Sequence, residues 1–317
     1  MPRTGRDPCP AARARAAGPD PAGGPGRRVD SHGLAHRDPP PGTPTPRRRR
    51  SRLNVRLERL IHTADLHFGE HHAGLAARLA DAVERLRPQL VVVSGDLTRR
   101  ARSHEFRAAR RFLDGLAAPT LVVPGNHDIP LLSLRRAYAP YRKYRRHLHG
   151  DLEPEMAFDN ARVRGLNTTV NWRWKEGWLR DVPEPHGPGG AGLTIFAGHH
   201  PLGARLAERL PERSPAILLH GHHHRAAVTR HGCVLEVGAA TPTSPRRRDG
   251  SNGFNLLTLD GRRVTLAVHT VDSGGSTVRD RRRFDAAAST PPLASGVPPT
   301  DLPAGAGAGT GAGTVTS

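Results

Sequence analysis

Five short polar segments each close an apolar run, and all five carry side chains that bind metal ions. They are Asp65-Leu66-His67, Gly95-Asp96, Gly125-Asn126-His127-Asp128, His199-His200-Pro201 and Gly221-His222-His223-His224. The stretches before the first four (residues 57–63, 90–94, 120–123 and 193–197) read as strands, and residues 216–219 lead into the fifth. A chain laid out this way must gather several strand ends on one rim, where groups distant in sequence converge. Asp96 directly follows a buried strand, where an unpaired carboxylate is penalised. Asp65 and His67 are two apart on extended chain and face the same side, as do His222 and His224. Carboxylate and amide oxygens mixed with imidazole nitrogens suit borderline ions such as Mn, Fe, Zn or Co. Singly, each segment is a weak signal; five in this order are a strong one.

Composition divides the 317-residue chain into three. Residues 1–53 are dominated by Pro, Gly, Ala and Arg and bury too little surface to offset the entropy of ordering them. Their twelve Arg against four Asp give +8 of the formal net charge of +19. Residues 285–317 return to Ala, Gly, Pro, Thr and Ser and read as a second disordered segment. Residues 54–284 suffice for one α/β domain. Arg47 to Arg50 with Arg52 could touch nucleic acid or an anionic surface; a solvated arm is the simpler reading. Neither a signal-type apolar segment nor a membrane-length run is expected, and Cys9 and Cys233 make no disulfide framework, so the cytoplasm is the expected compartment. Cys233 is expected to act as a small core hydrophobe.

Within the middle part, residues 73–86 carry Leu, Ala and Val at helical spacing, ended by Pro88. Ser103 as N-cap, followed by Phe106, Phe112, Leu113 and Leu116, describes a second amphipathic helix. This β-α-β-α-β series predicts parallel pairing. Later, residues 157–166, 193–197, 216–219, 226–230, 233–237, 254–259 and 264–270 are short strand candidates, and Asp260-Gly261 marks a hairpin between the last two. That half is predicted to be mostly antiparallel.

The order and spacing of the five segments resemble the calcineurin-like metallophosphoesterase family, most closely its bacterial cyclic-nucleotide-phosphodiesterase-like branch. The resemblance covers residues 57–270 and implies a four-layer α/β/β/α sandwich of two mixed sheets flanked by helices. It also implies two metal ions (Mn, Fe or Zn): Asp65, His67 and His224 at one, Asn126, His199 and His222 at the other, and Asp96 bridging. In the family form His-x-Pro the ligand is His199, with His200 as its neighbour. His127 is then expected to hydrogen-bond the phosphoryl group and protonate the leaving oxygen. Asp128 either orients His127 or caps its loop. A phosphodiester is anionic and repels hydroxide, and paired metals lower the pKa of bound water from 15.7 to roughly 7. The expected reaction is therefore phosphodiester hydrolysis by metal-held hydroxide without a phospho-enzyme. A nuclease, a phosphomonoesterase or a metal-binding scaffold are the alternatives.

The partner expected is a phosphate ester, such as a nucleotide, with nucleic acid less favoured. The basic stretch 135–149, with Tyr138, Tyr141 and Tyr144, could bind single strands, but an amphipathic helix with packed tyrosines is preferred. Trp172, Trp174 and Trp178 either stack a base or pack under the sandwich edge. Residues 246–248 (all Arg) could attract an anion to the rim. His62 and His220 are expected in the core, His71 and His72 in a solvated loop, and residues 180–192 as a loop replacing a helix common in relatives.

Overall fold

The computed structural model describes residues 50–52, 54–131, 133–172, 175–182, 192–212, 214–248 and 250–286. The chain divides into two units, Met1–Pro46 and Arg47–Ser317, and every described residue lies in the second. Most of the arm and tail inferred from composition, Cys9 and Trp174 lie outside the described residues.

Within the second unit the strands are β1 (Arg50–Arg52), β2 (Arg59–Thr63), β3 (Leu90–Ser94), β4 (Thr120–Val123), β5 (Glu155–Ala157), β6 (Ala161–Gly165), β7 (Leu193–Ala197), β8 (Ala216–His220), β9 (Ala227–His231), β10 (Val234–Gly238), β11 (Asn252–Asp260), β12 (Arg263–Asp272) and β13 (Gly275–Asp285). The helices are α1 (Ala73–Leu86), α2 (Ser103–Asp114), α3 (Arg135–Tyr138), α4 (Arg142–His147) and α5 (Gly203–Ala207). One sheet runs β1-β5-β6-β7-β8-β10-β9 and the other β13-β12-β11-β2-β3-β4.

Strand alternation sends successive side chains to opposite faces, and this sorts the apolar residues into layers. Leu60, Leu90, Val92, Leu121 and Val123 of one sheet meet Val163, Ile195, Ile217, Leu219 and Leu235 of the other, forming the core between the sheets. Their neighbours Ile61, Val91, Val93 and Val122 point outward onto Leu79 and Val83 of α1, Phe106 and Ala109 of α2 and Tyr144 of α4. On the far side, Phe196, Leu218 and Val234 pack against Leu206 of α5. The expected α/β/β/α sandwich of two mixed sheets is present. Its strands β2, β3 and β4 are parallel, as are β7 and β8, so each sheet offers a row of carboxyl ends.

Several local expectations are corrected. Residues 157–166 are not one strand: Asp159-Asn160 turns the chain between antiparallel β5 and β6, and the Asn160 amide bonds both Leu57 N–H (2.7 Å) and Leu57 carbonyl (3.1 Å), which keeps Leu57 out of β2. Ser103 is the first helical residue of α2 rather than its cap; the Glu105 carboxylate takes the backbone N–H of Arg100 and Arg102 instead. The second half is less antiparallel than predicted, since β6, β7, β8 and β10 pair in parallel. Pro140 splits the basic stretch into α3 and α4: Tyr144 is fully buried, but Tyr138 is exposed. Cys233 is only partly buried, against the α5 layer. β1 falls inside the segment that composition assigned to the arm, and β13 is a strand that periodicity did not reveal.

Candidate metal centre

Side chains at the carboxyl ends of β2, β3, β4, β7 and β8 converge on one rim. The backbone there bends sharply: Asp65, His67, Asp96, His222 and His224 all have left-handed φ, between 48° and 68°. Such conformations cost roughly 1–3 kcal/mol each in a non-glycine residue and persist only where surroundings enforce them. For Asp65, His67 and Asp96, hydrogen bonds between the two neighbouring segments do the enforcing. Asp65 N–H donates to Gly95 carbonyl (3.0 Å), His67 N–H to Asp96 carbonyl (3.0 Å) and Phe68 N–H to Leu97 carbonyl (2.8 Å). Glycine is required where these segments touch: a Cβ on Gly125 would lie 2.1 Å from Asp96 Oδ1, and one on Gly95 would lie 2.6 Å from His199 Nδ1.

Three imidazoles share one orientation. Nδ1 of His199 lies 2.9 Å from Ser94 carbonyl, Nδ1 of His224 2.6 Å from Arg246 carbonyl and Nδ1 of His67 3.4 Å from Thr98 carbonyl. A ring whose Nδ1–H donates to a carbonyl presents its Nε2 lone pair, the arrangement that orients metal-ligating histidines. Those Nε2 atoms face carboxylates and each other: His224 Nε2 is 3.2 Å from Asp65 Oδ1 and 3.1 Å from His67 Nε2, and His199 Nε2 is 3.3 Å from Asp96 Oδ2. His67 Nε2 lies 3.9 Å from both Asp65 Oδ1 and Asp96 Oδ2. Asn126 Oδ1 completes a second group, 3.0 Å from His199 Nε2 and 3.2 Å from His222 Nδ1.

Asp65 Oδ1 is buried without a hydrogen-bond partner among the described residues, while Oδ2 accepts His222 N–H at 3.0 Å. Lone pairs of two imidazoles and one carboxylate oxygen thus converge, which a cation satisfies. Ligand atoms of Asp65, His67 and His224 lie within 4.8 Å of one another, as do those of Asp65, Asp96 and His199 and those of His199, His200 and His222. The donor set fits the metal ions that the fold implies.

Electrostatics agree with the grouping. Burial works to raise the Asp96 carboxyl, but His199 beside it wins and holds it well below the usual carboxylate range. Burial likewise opposes protonation of His199, yet Asp96 and Asp65 bring its pKa up to about 9, so in the metal-free protein Nε2 carries a proton that a bound ion would displace. His62, His67 and His200 are pushed down, chiefly by burial, to about 3, 4 and 2. Held neutral when folded, these three take up protons on unfolding below their ordinary 6.5. The stability they contribute is intact above pH 6.5 and is lost progressively as pH falls below it toward those folded values. Chelator-treated protein is therefore expected to be less stable at pH 5 than at pH 7. Urea titrations at pH 7 and pH 5 giving equal stabilities would contradict this.

All seven residues picked as ligands are brought together, with His127 at the edge of the cluster, its ring 5.0 Å from that of His67. Asp128 behaves differently from one of its two expected roles. Its carboxylate takes the N–H groups of Gly125 (2.9 Å), Thr98 (2.9 Å) and Leu97 (3.2 Å), clamping the β4 loop to the β3 loop. The Asp128 carboxylate thus bonds loop backbone, and the Arg99 carbonyl lies 2.9 Å from His127 Nδ1. His62 and His220 are buried as expected; His72 precedes α1, bonded to Thr243 carbonyl, and His71 packs on Phe68. Trp172 and Trp178 are exposed, and residues 183–191 of the loop expected at 180–192 are outside the described residues.

Three contributors were missed. Thr168 bonds the backbone of His199 and His200. Arg99 places Nη1 3.1 Å from His127 Nδ1 and pairs with Glu70, which also holds Arg246 at 3.2 Å. The arginine following Gly95-Asp96-Leu97-Thr98 was a readable signal for the second; nothing local marked Thr168.

A two-sheet sandwich carrying this carboxylate–imidazole cluster on one rim is the build of a metal-dependent phosphoric ester hydrolase. The calcineurin-like phosphoesterase family matches residues 58–226, more than half of the chain, and the chain belongs to that family. It is 27% identical over 208 residues to the glycerophosphodiester phosphodiesterase GpdQ of Enterobacter lignolyticus, spanning 54% of this chain and 73% of that protein. It is 25% identical over 184 residues to the probable glycerophosphodiester phosphodiesterase GpdQ of Arcobacter nitrofigilis, spanning 50% of this chain and 64% of that protein. Its fold resembles the purple acid phosphatase PPD1 of yellow lupin (Lupinus luteus) with TM-score 0.52 and 14% identity, over 77% of this chain and 58% of that one. No described helix is long and apolar enough to cross a membrane.

Proposed function

We propose that the protein is a phosphodiesterase that works with two metal ions on small organic diesters. Asp65, His67 and His224 would hold one ion and Asn126, His199 and His222 the other, with Asp96 serving both. The observation carrying this reading is the place of Asp96 Oδ2, 3.3 Å from His199 Nε2 and 3.9 Å from His67 Nε2, between the two groups. When bound, such ions supply Lewis-acid charge for the phosphoryl oxygens and lower the pKa of water to roughly 7. The mixed oxygen and nitrogen donors suit Mn, Fe or Zn.

The chain's own residues supply position and protons. Asp96 Oδ1 accepts His127 N–H at 2.8 Å, so the shared acid also anchors the residue assigned to the leaving group. With Nδ1 fixed on Arg99 carbonyl, the acid form of His127 delivers its proton from Nε2 to the departing oxygen. The cyclic-nucleotide resemblance and the glycerophosphodiesterase names of the relatives share one chemistry, a small diester with an alkoxide leaving group. That class needs a proton donor, the role assigned here to His127. The test is turnover of bis-p-nitrophenyl phosphate against p-nitrophenyl phosphate, with Mn, Fe or Zn added to chelated protein. The diester is expected to be the better substrate; a preference for the monoester would overturn the proposal.

A further inference from the structure

One imidazole in the cluster is wired the opposite way from its neighbours. Thr168 Oγ1 accepts two backbone N–H groups, from His199 at 3.1 Å and His200 at 3.2 Å. A hydroxyl oxygen has two lone pairs and one proton. With both lone pairs engaged, the Thr168 proton goes to its remaining contact, His200 Nδ1 at 2.9 Å. Nδ1 of His200 is therefore the acceptor, and the ring proton sits on Nε2. The side chain is only 2% exposed, and Nε2 has no hydrogen-bond partner among the described residues. A buried N–H without a partner is expensive, so it is a group built to meet an acceptor.

Its surroundings define that acceptor. The ring centroid lies 4.9 Å from that of His199 and 4.7 Å from that of His222. Gly177 closes the other edge, since a Cβ there would stand 2.4 Å from His200 Cβ and 3.0 Å from Nδ1. His199, His224 and His67 aim Nε2 at carboxylates, where a cation would sit, whereas the unpaired ring nitrogen of His200 carries a proton and suits an anion. We propose that His200 binds substrate, its Nε2–H donating to a non-bridging phosphoryl oxygen. Thr168 is the positioning residue that sets the tautomer. This rests on the phosphodiesterase reading of the same site.

Two measurements test it. Inorganic phosphate is titrated into the metal-loaded protein, and the dissociation constant of each metal is measured separately by chelator competition. His200→Ala should weaken phosphate binding about tenfold to a hundredfold, as for loss of a hydrogen bond to a charged group, with metal affinities unchanged. His200→Gln, which keeps an N–H donor, should recover part of the loss. If His200→Ala weakens a metal by tenfold or more, His200 is a ligand and the proposal is wrong; it is also wrong if phosphate affinity does not move. The second measurement needs no variant: ¹⁵N NMR of the wild-type ring should show Nδ1 unprotonated and Nε2 protonated, and the reverse would overturn the tautomer. Metal-loaded wild type that binds no phosphate would instead remove the functional reading itself, and this proposal with it.

Discussion

Asp96→Ala is expected to lower diester turnover by about a thousandfold or more, on the scale of several kcal/mol of lost transition-state charge stabilisation. Bound metal, measured on the desalted protein, should fall from two ions to one or none. The size of the effect follows from how many functions meet at this carboxylate. Oδ2 lies between His199 and His67, and Oδ1 holds His127 N–H. Asp96 is also the strongest influence raising the His199 pKa to about 9, against burial. Asp96→Asn keeps the shape and the Oδ1 acceptor but removes the charge, so it separates the two contributions. It should spare the His127 backbone while still losing metal. Retention of two ions and of near-wild-type turnover in Asp96→Asn would show that the acid is not shared between sites.

The residues that made this centre legible are those whose role is written in local chain. Asp65, Asp96, Asn126, His199 and His222 follow continuous apolar runs, so strand ends could be placed before their partners were known. His200 illustrates the limit. Its type and position beside His199 were plain, yet whether it offers a lone pair or a proton is decided by Thr168, 32 residues away. Asp128 shows the same limit, since its chemistry fits an imidazole partner or a backbone clamp equally and only the approach of the Leu97-Thr98 loop decides.

In the fold, β3 and α1 were readable because buried strands and amphipathic helices carry strong periods. β13 was not: it is an edge strand rich in arginine, of which Phe284 is the buried apolar side chain, and an edge needs charge more than alternation. The direction of β6, β7, β8 and β10 is not legible in the sequence for a related reason. Alternation reports which face is buried, while parallel or antiparallel pairing depends on connections that run outside the strands. The Asp159-Asn160 turn is the local signal that separates β5 from β6 within a stretch that apolar content alone reads as one strand.

His127→Ala is expected to reduce turnover of alkyl diesters by about a hundredfold to ten-thousandfold, the range for loss of a positioned proton donor. Both metal affinities should stay within about twofold, because His127 makes its backbone contact to Asp96 through N–H, which alanine retains. The size of the loss should depend on the leaving group. An alkoxide must be protonated as it departs, whereas p-nitrophenolate leaves as a stable anion. The variant should therefore be far less impaired on bis-p-nitrophenyl phosphate than on a glycerol or nucleotide diester. Arg99 bears on the same proton, since its carbonyl fixes Nδ1 and its guanidinium stands 3.1 Å from that atom. Arg99→Ala keeps that carbonyl but removes the guanidinium, and should lower alkyl-diester turnover without altering metal content. Equal losses on both leaving groups in His127→Ala would mean that His127 stabilises the phosphoryl group rather than the departing oxygen, and the proton would have to come from elsewhere.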